Sequence, residues 1–253
     1  MATKIIAITN QKGGVGKTTT AVNLSASLGA IKRKVLLIDL DPQGNATMGS
    51  GVHKEKTDFS VADVLLNLVS VQNVIHNTTA GYDLLPGNSQ LIAAEVQLSK
   101  LDEREYFLRK ILNPIYEKYD FIFIDCPPSL NILTVNALVA ATSVIIPVQC
   151  EYYALEGLAA LVSTIEQLKG TVNSELKIEG LLRTMYDSRN RLTLEVSEQL
   201  MQHFPDKVYK TVIPRNVRLA EAPSYGLPAL LYDHDSYGAM AYLALAGEIC
   251  KQN

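Results

Sequence analysis

Residues 5 to 20 read Ile-Ile-Ala-Ile-Thr-Asn-Gln-Lys-Gly-Gly-Val-Gly-Lys-Thr-Thr-Thr, and no other stretch restricts the fold as tightly. The apolar run Ile5 to Ile8 predicts a buried strand, the glycines a tight loop, and the spacing from Lys17 to about Ala30 a helix. That order builds a cradle for an anion. Gly13, Gly14 and Gly16 lack a Cβ, so the backbone is free to curl its N–H groups inward. The helix N-terminus adds partial positive charge at the same spot. Lys17 is placed to reach β- and γ-phosphates and the Thr18 hydroxyl to ligate Mg²⁺, with Val15 and Thr19 in the same binding run. The strict pattern G-x-x-x-x-G-K-[ST] asks for glycine at position 11. Gln11 stands there instead, and a second lysine, Lys12, precedes the paired glycines.

The rest of the chain repeats the strand-then-helix theme. Short unbroken apolar runs at Val35–Leu40, Tyr82–Leu85, Phe121–Asp125, Val144–Val148, Ile178–Met185 and Val208–Ile213 predict buried strands. Helical spacing is expected at about 60–69, 89–100, 103–118, 130–141, 154–169, 191–203 and 236–251, and residues 49–58 read as an exposed connection. Such alternation predicts one α/β domain over 1–253, a mainly parallel twisted sheet flanked by helices, with no linker or repeat inside it. Ligands of such sheets sit beyond the carboxyl ends of the strands. Three predicted strand ends carry suitable groups: the loop at 12–19, Asp41 and Asp125. Asp125 is expected to hold Mg²⁺ directly or through water, Asp41 to orient an attacking water, and Asp39 to be a further acid near the metal.

Composition narrows the setting. An apolar fraction of 47% over 253 residues supports a sizeable core, and no apolar run approaches the ~20 residues that span a bilayer. The N-terminal apolar run is too short for a signal peptide and feeds the loop directly, so the expected location is cytoplasmic. Three cysteines, Cys126, Cys150 and Cys250, have no metal-ligand spacing and fit a reducing compartment. A net charge of −3 argues against indiscriminate coating of nucleic acid but leaves room for a basic patch. From Lys177 to Arg218 eight basic residues face five acidic ones, and Arg183, Arg189, Arg191, Lys207, Lys210, Arg215 and Arg218 are expected along one edge.

The sequence resembles the ParA/Soj family of partition ATPases, within the deviant Walker A superfamily that includes MinD and the nitrogenase iron protein. The matching stretches are 12–19, Asp39-Leu-Asp-Pro-Gln-Gly-Asn45, Asp125-Cys-Pro-Pro-Ser129, 149–157 and Thr211-Val-Ile-Pro-Arg-Asn-Val-Arg-Leu-Ala-Glu-Ala-Pro-Ser224, which together reach across nearly the whole chain. The resemblance implies an ATP- and Mg²⁺-dependent ATPase that forms a homodimer around two nucleotides, with Lys12 acting on the partner's phosphates. It places Pro214 and Asn216 near the adenine. It implies non-specific double-stranded DNA binding in the ATP state, hence nucleoid association, through Arg189, Arg218 and Arg215, and release stimulated by a ParB/Spo0J-type protein. No N-terminal helix-turn-helix extension is expected. A MinD-like membrane ATPase would need a basic amphipathic C-terminus, whereas Ala239 to Asn253 carries one lysine and one acid. An iron–sulfur reductase would need cluster loops around Cys126 and Cys150 that the sequence does not resemble. A small-molecule ligase would need a substrate pocket that no residues here announce.

Overall fold

The apolar runs at Ile5, Val35 and Phe121 become three adjacent strands, because only the centre of a two-sided sheet removes both faces of such runs from water. A computed structural model describes residues 2–251. Its strands are β1 (Lys4–Ile8), β2 (Val35–Asp39), β3 (His76–Asn77), β4 (Asp83–Leu85), β5 (Phe121–Asp125), β6 (Ser143–Gln149) and β7 (Lys177–Thr184). They form one sheet in the order β3-β4-β2-β5-β1-β6-β7, parallel throughout except for the short antiparallel β3–β4 pair.

Side chains alternate between two cores. Ile6, Ile8, Phe121 and Phe123 point to the face covered by α1 (Lys17–Ala30) and the last helix (Tyr237–Lys251). Ala7, Ile122 and Ile124 point to the other, covered by helices at Val61–Leu65, Gln90–Leu98, Phe107–Leu112, Ile132–Ala140, Ala154–Thr171 and Arg191–His203. With short helices at Asn45–Gly49, Val217–Glu221 and Ala229–Tyr232, the eleven helices among the described residues run α1 to α11 in chain order.

Several expectations are corrected. The helix expected at 103–118 is α5 (Phe107–Leu112) between two 3₁₀ turns, since Pro114 has no N–H to continue it. The helix expected at 60–69 ends at Leu65, and Asn67 takes a left-handed φ of 58° just beyond it. Its start is as the sequence suggests: Ser60 and Asp63 form a capping box. The strand expected at Val208–Ile213 does not form. Tyr209 and Ile213 hydrogen-bond to β7, but the N–H groups of Lys210 and Thr211 between them donate instead to Glu248. The segment therefore bows off the sheet edge as a strap.

Candidate functional site

Because β2, β5 and β1 are neighbours, the loops at their carboxyl ends are neighbours too. The sheet register sets Asp125 level with Ile8 on one side and Asp39 on the other. All three expected strand ends therefore meet at one place, beside the N-terminus of α1.

The loop from Asn10 to Gly16 is held from behind. Asn10 donates to the Pro147 carbonyl at 2.8 Å and accepts from the Lys12 N–H at 3.0 Å, while Thr184 donates to the Val15 carbonyl at 2.8 Å. Gly14 and Gly16 adopt φ of 74° and 89°, a conformation that costs a side-chain-bearing residue. A Cβ built on Gly13 or Gly14 meets nothing within 4 Å, so neither glycine is packed against the rest of the fold. Gly16 caps α1 without a side-chain acceptor, leaving the first helical N–H groups for an anion.

Lys17 is buried, and its Nζ donates to the Lys12 carbonyl at 3.2 Å. Burial lowers its pKa, opposed by Asp125, Cys126 and Asp41. Thr18 Oγ1 donates to Asp125 Oδ2 at 2.7 Å. Asp125 is fully buried and its Oδ1 has no hydrogen-bond partner, while burial and the nearby Asp39 hold its carboxyl well above the usual range. A hydroxyl beside an unpartnered carboxylate oxygen is a donor set for a hard, oxygen-ligated cation, so the residues fit Mg²⁺. Asp41 is half-buried. It accepts from the Gln43 N–H at 2.9 Å and lies close enough to act electrostatically on both Lys17 and Asp125.

Asp39, level with Asp125, is engaged by its own loop. Its Oδ2 accepts from the N–H and hydroxyl of Thr47 at 2.7 and 2.6 Å, and its Oδ1 accepts from the Asp41 N–H at 3.2 Å. It ties α2 (Asn45–Gly49) and the Asp41 loop to the strand end, and burial pushes its carboxyl up to about 6. Lys12 points to the molecular surface, where Nζ pairs with Glu151 Oε2 at 2.9 Å and Gln149 donates to the other carboxylate oxygen.

Next to Gly16 and Thr19 opens a cleft of about 170 Å³ walled by Thr184, Met185, Pro214 and Asn216. Met185 holds a left-handed φ of 48°, uncommon for a side-chain-bearing residue. Asn216, which lines the cleft, caps α9 (Val217–Glu221) with its Oδ1 by accepting from Leu219 N–H at 3.2 Å. Thr184, Met185 and Asn10 escaped the sequence reading. The rule that ligands gather at carboxyl strand ends points to the first two, at the end of β7, but nothing local marks Asn10 as a prop.

The basic residues separate. Arg183 is buried, 7% exposed, and does not line a surface edge. Arg189 is exposed and grips Asp187, holding that carboxyl down at about 2. Arg191 pairs with Glu195, and Arg218 bridges Glu221 and Asp233 at 2.8 and 3.0 Å. Arg215 stands at the rim of the cleft.

Similarity to known proteins agrees with this geometry. A family model described as an AAA domain matches residues 3–178. The sporulation initiation inhibitor protein Soj of Bacillus subtilis is 54% identical over 97% of this chain and 98% of its own. The chromosome partitioning protein ParA of Myxococcus xanthus is 49% identical over 99% and 89%. Among solved structures, cobyrinic acid a,c-diamide synthase of Mycobacterium smegmatis, bound to an ATP analogue and magnesium, superimposes with a TM-score of 0.85. It is 37% identical over 97% of this chain and 93% of its own. With a glycine loop, a hydroxyl–carboxylate pair and a cleft around one sheet end, and with this breadth of similarity, the chain belongs to the ParA/Soj family of Mg²⁺-dependent P-loop ATPases.

Proposed function

We propose that this ATPase partitions a chromosome or plasmid by using ATP binding to assemble a homodimer that grips double-stranded DNA without sequence preference. A ParB/Spo0J-type protein would trigger hydrolysis to ADP and phosphate, and release. The observation that carries the reading is the meeting of Lys17, Thr18, Asp125 and Asp41 at contiguous strand ends, beside the glycine loop.

In this reading the N–H groups of Gly13, Val15, Gly16 and their neighbours cradle the phosphates, and Lys17 neutralises the β- and γ-oxygens. Thr18 and Asp125 hold Mg²⁺, which supplies further charge neutralisation at the phosphates when bound. Asp41 orients water toward the γ-phosphate. Lys12 leaves Glu151 and acts on the nucleotide of the second copy, as arginine fingers do, which ties hydrolysis to assembly. Pro214 and Asn216 receive the base. Arg189, Arg218 and Arg215 contact DNA phosphates, and dimerisation doubles their number.

No helix among the described residues is long and apolar enough to cross a membrane. The proposed location is the cytoplasm, on the nucleoid in the ATP state. The test is binding to random-sequence duplex DNA with ATP, with ADP and without nucleotide, over a salt series. Binding with ATP alone, weakened by salt and lost in Arg218→Glu, is expected. Binding that ignores nucleotide overturns the switch.

A further inference from the structure

The strap between α8 (Arg191–His203) and α9 carries Pro214 and Asn216 into the cleft, and two charged side chains from different elements grip it upstream. Arg183, on β7 just before Thr184 and Met185, sends Nη2 to the carbonyls of Tyr209 and Lys210 at 2.9 and 3.3 Å. Its Nη1 donates to Ser197 Oγ at 2.9 Å, and its guanidinium lies 5.7 Å from the Tyr186 ring centre. Among the described residues these contacts are carbonyl, hydroxyl, sulfur and ring; none is a carboxylate. A buried cation without a counter-ion depends on such acceptors staying in place.

On the opposite side, Glu248 of α11 (Tyr237–Lys251) accepts the N–H groups of Lys210 and Thr211 at 2.7 and 3.0 Å. The two peptide groups that flank Lys210, 209–210 and 210–211, are thus each drawn at the N–H end by the Glu248 carboxylate and at the C=O end by the Arg183 guanidinium. Both are charge-assisted hydrogen bonds, the stronger and more directional kind. Past this point the strap returns to β7 only at Ile213, whose N–H donates to the Arg183 carbonyl at 2.9 Å and whose carbonyl accepts from Tyr186 N–H at 2.9 Å. Pro214 follows at once. Neither Arg183 nor Glu248 borders the cleft itself.

We propose that Arg183 and Glu248 are positioning residues for base recognition. By fixing the two peptide groups around Lys210 from both sides, they set where Pro214 and Asn216 stand against a bound purine. This rests on the cleft being the base site. It separates base affinity from phosphate affinity, because the phosphate loop is propped by Asn10 and Thr184 and not by the strap.

The test uses the full chain with Arg183→Leu, Arg183→Lys and Glu248→Gln, measuring the affinities of ATP, GTP and inorganic tripolyphosphate with Mg²⁺, the KM and kcat for ATP, and the thermal midpoint. In Arg183→Leu and Glu248→Gln the preference for ATP over tripolyphosphate is expected to shrink by about tenfold, with tripolyphosphate affinity kept within about twofold. KM for ATP rises while kcat changes less, the preference for ATP over GTP narrows, and Arg183→Lys recovers part of the loss. Unchanged preferences in folded Arg183→Leu and Glu248→Gln overturn the proposal. So does an equal fall for ATP and tripolyphosphate, which marks general loosening. A wild-type protein that binds ATP no better than tripolyphosphate overturns the base-site reading beneath it, a failure visible before any variant is made.

Discussion

Lys17 and Asp41 sit a few residues from strand ends yet carry different burdens. Lys17 is a cation taken out of water, and the Lys12 carbonyl gives its ammonium an acceptor that a phosphate oxygen would replace with full charge. Removing it by Lys17→Ala is expected to weaken Mg-ATP binding by about a hundredfold or more in calorimetry, since its charge-assisted bonds to the phosphates go with it. Asp41 lies in a turn that its own carboxylate closes onto the Gln43 N–H, half open to solvent. Asp41→Ala is expected to bind ATP within about threefold of wild type while kcat drops by about 10² or more, the usual worth of a positioned acid or base. Turnover at the wild-type rate would leave Asp41 as a turn residue. Both positions were legible in the sequence, because glycine spacing and an acid at the end of an apolar run are local signals. The role of Asp39 was not: its ligand is Thr47, and only the folded loop brings that hydroxyl to 2.6 Å.

At the scale of elements, periodicity located every long strand and helix but misjudged the pieces whose hydrogen bonds are decided elsewhere. The run Val208–Ile213 has the composition of a strand, yet Glu248, some forty residues on, takes two of its amides and turns it into a strap. The strap is pinned at its start by Tyr209, whose ring lies directly over Gly180 of β7. A Cβ at position 180 would come within 2.4 Å of the Tyr209 ring. Gly180→Ala is therefore expected to destabilise the protein by about 2 kcal/mol, the usual cost of overpacking, as a lowered denaturation midpoint. A stability equal to wild type would show that the ring has room to move aside. Short helices such as α2 and α9 were unreadable for a similar reason. One or two turns have too little propensity to persist alone, and a bond from a distant strand end, Asp39 to Thr47, holds α2 in place.

The whole molecule adds what no element holds, the exposed position of Lys12. Its pairing with Glu151 is solvent-facing, and such exposed pairs contribute only about 0 to 1 kcal/mol, so a second copy's phosphates compete with it easily. With ATP, Asp41→Ala is expected to run at twice the monomer mass by light scattering, while the Lys12→Ala, Asp41→Ala double variant stays monomeric. A double variant that still dimerises would remove Lys12 from the interface.

The sequence by itself determined the glycine-rich loop between strand and helix and the parallel α/β class, since each rests on residues adjacent in the chain or on the period of an apolar run. The tertiary structure alone decided that β2, β5 and β1 lie side by side, because strand order is set by which helices cover which face and not by any strand's own residues. It also decided that Arg183 belongs to the interior. A guanidinium reads as surface until the fold brings two carbonyls, a hydroxyl and an aromatic ring around it.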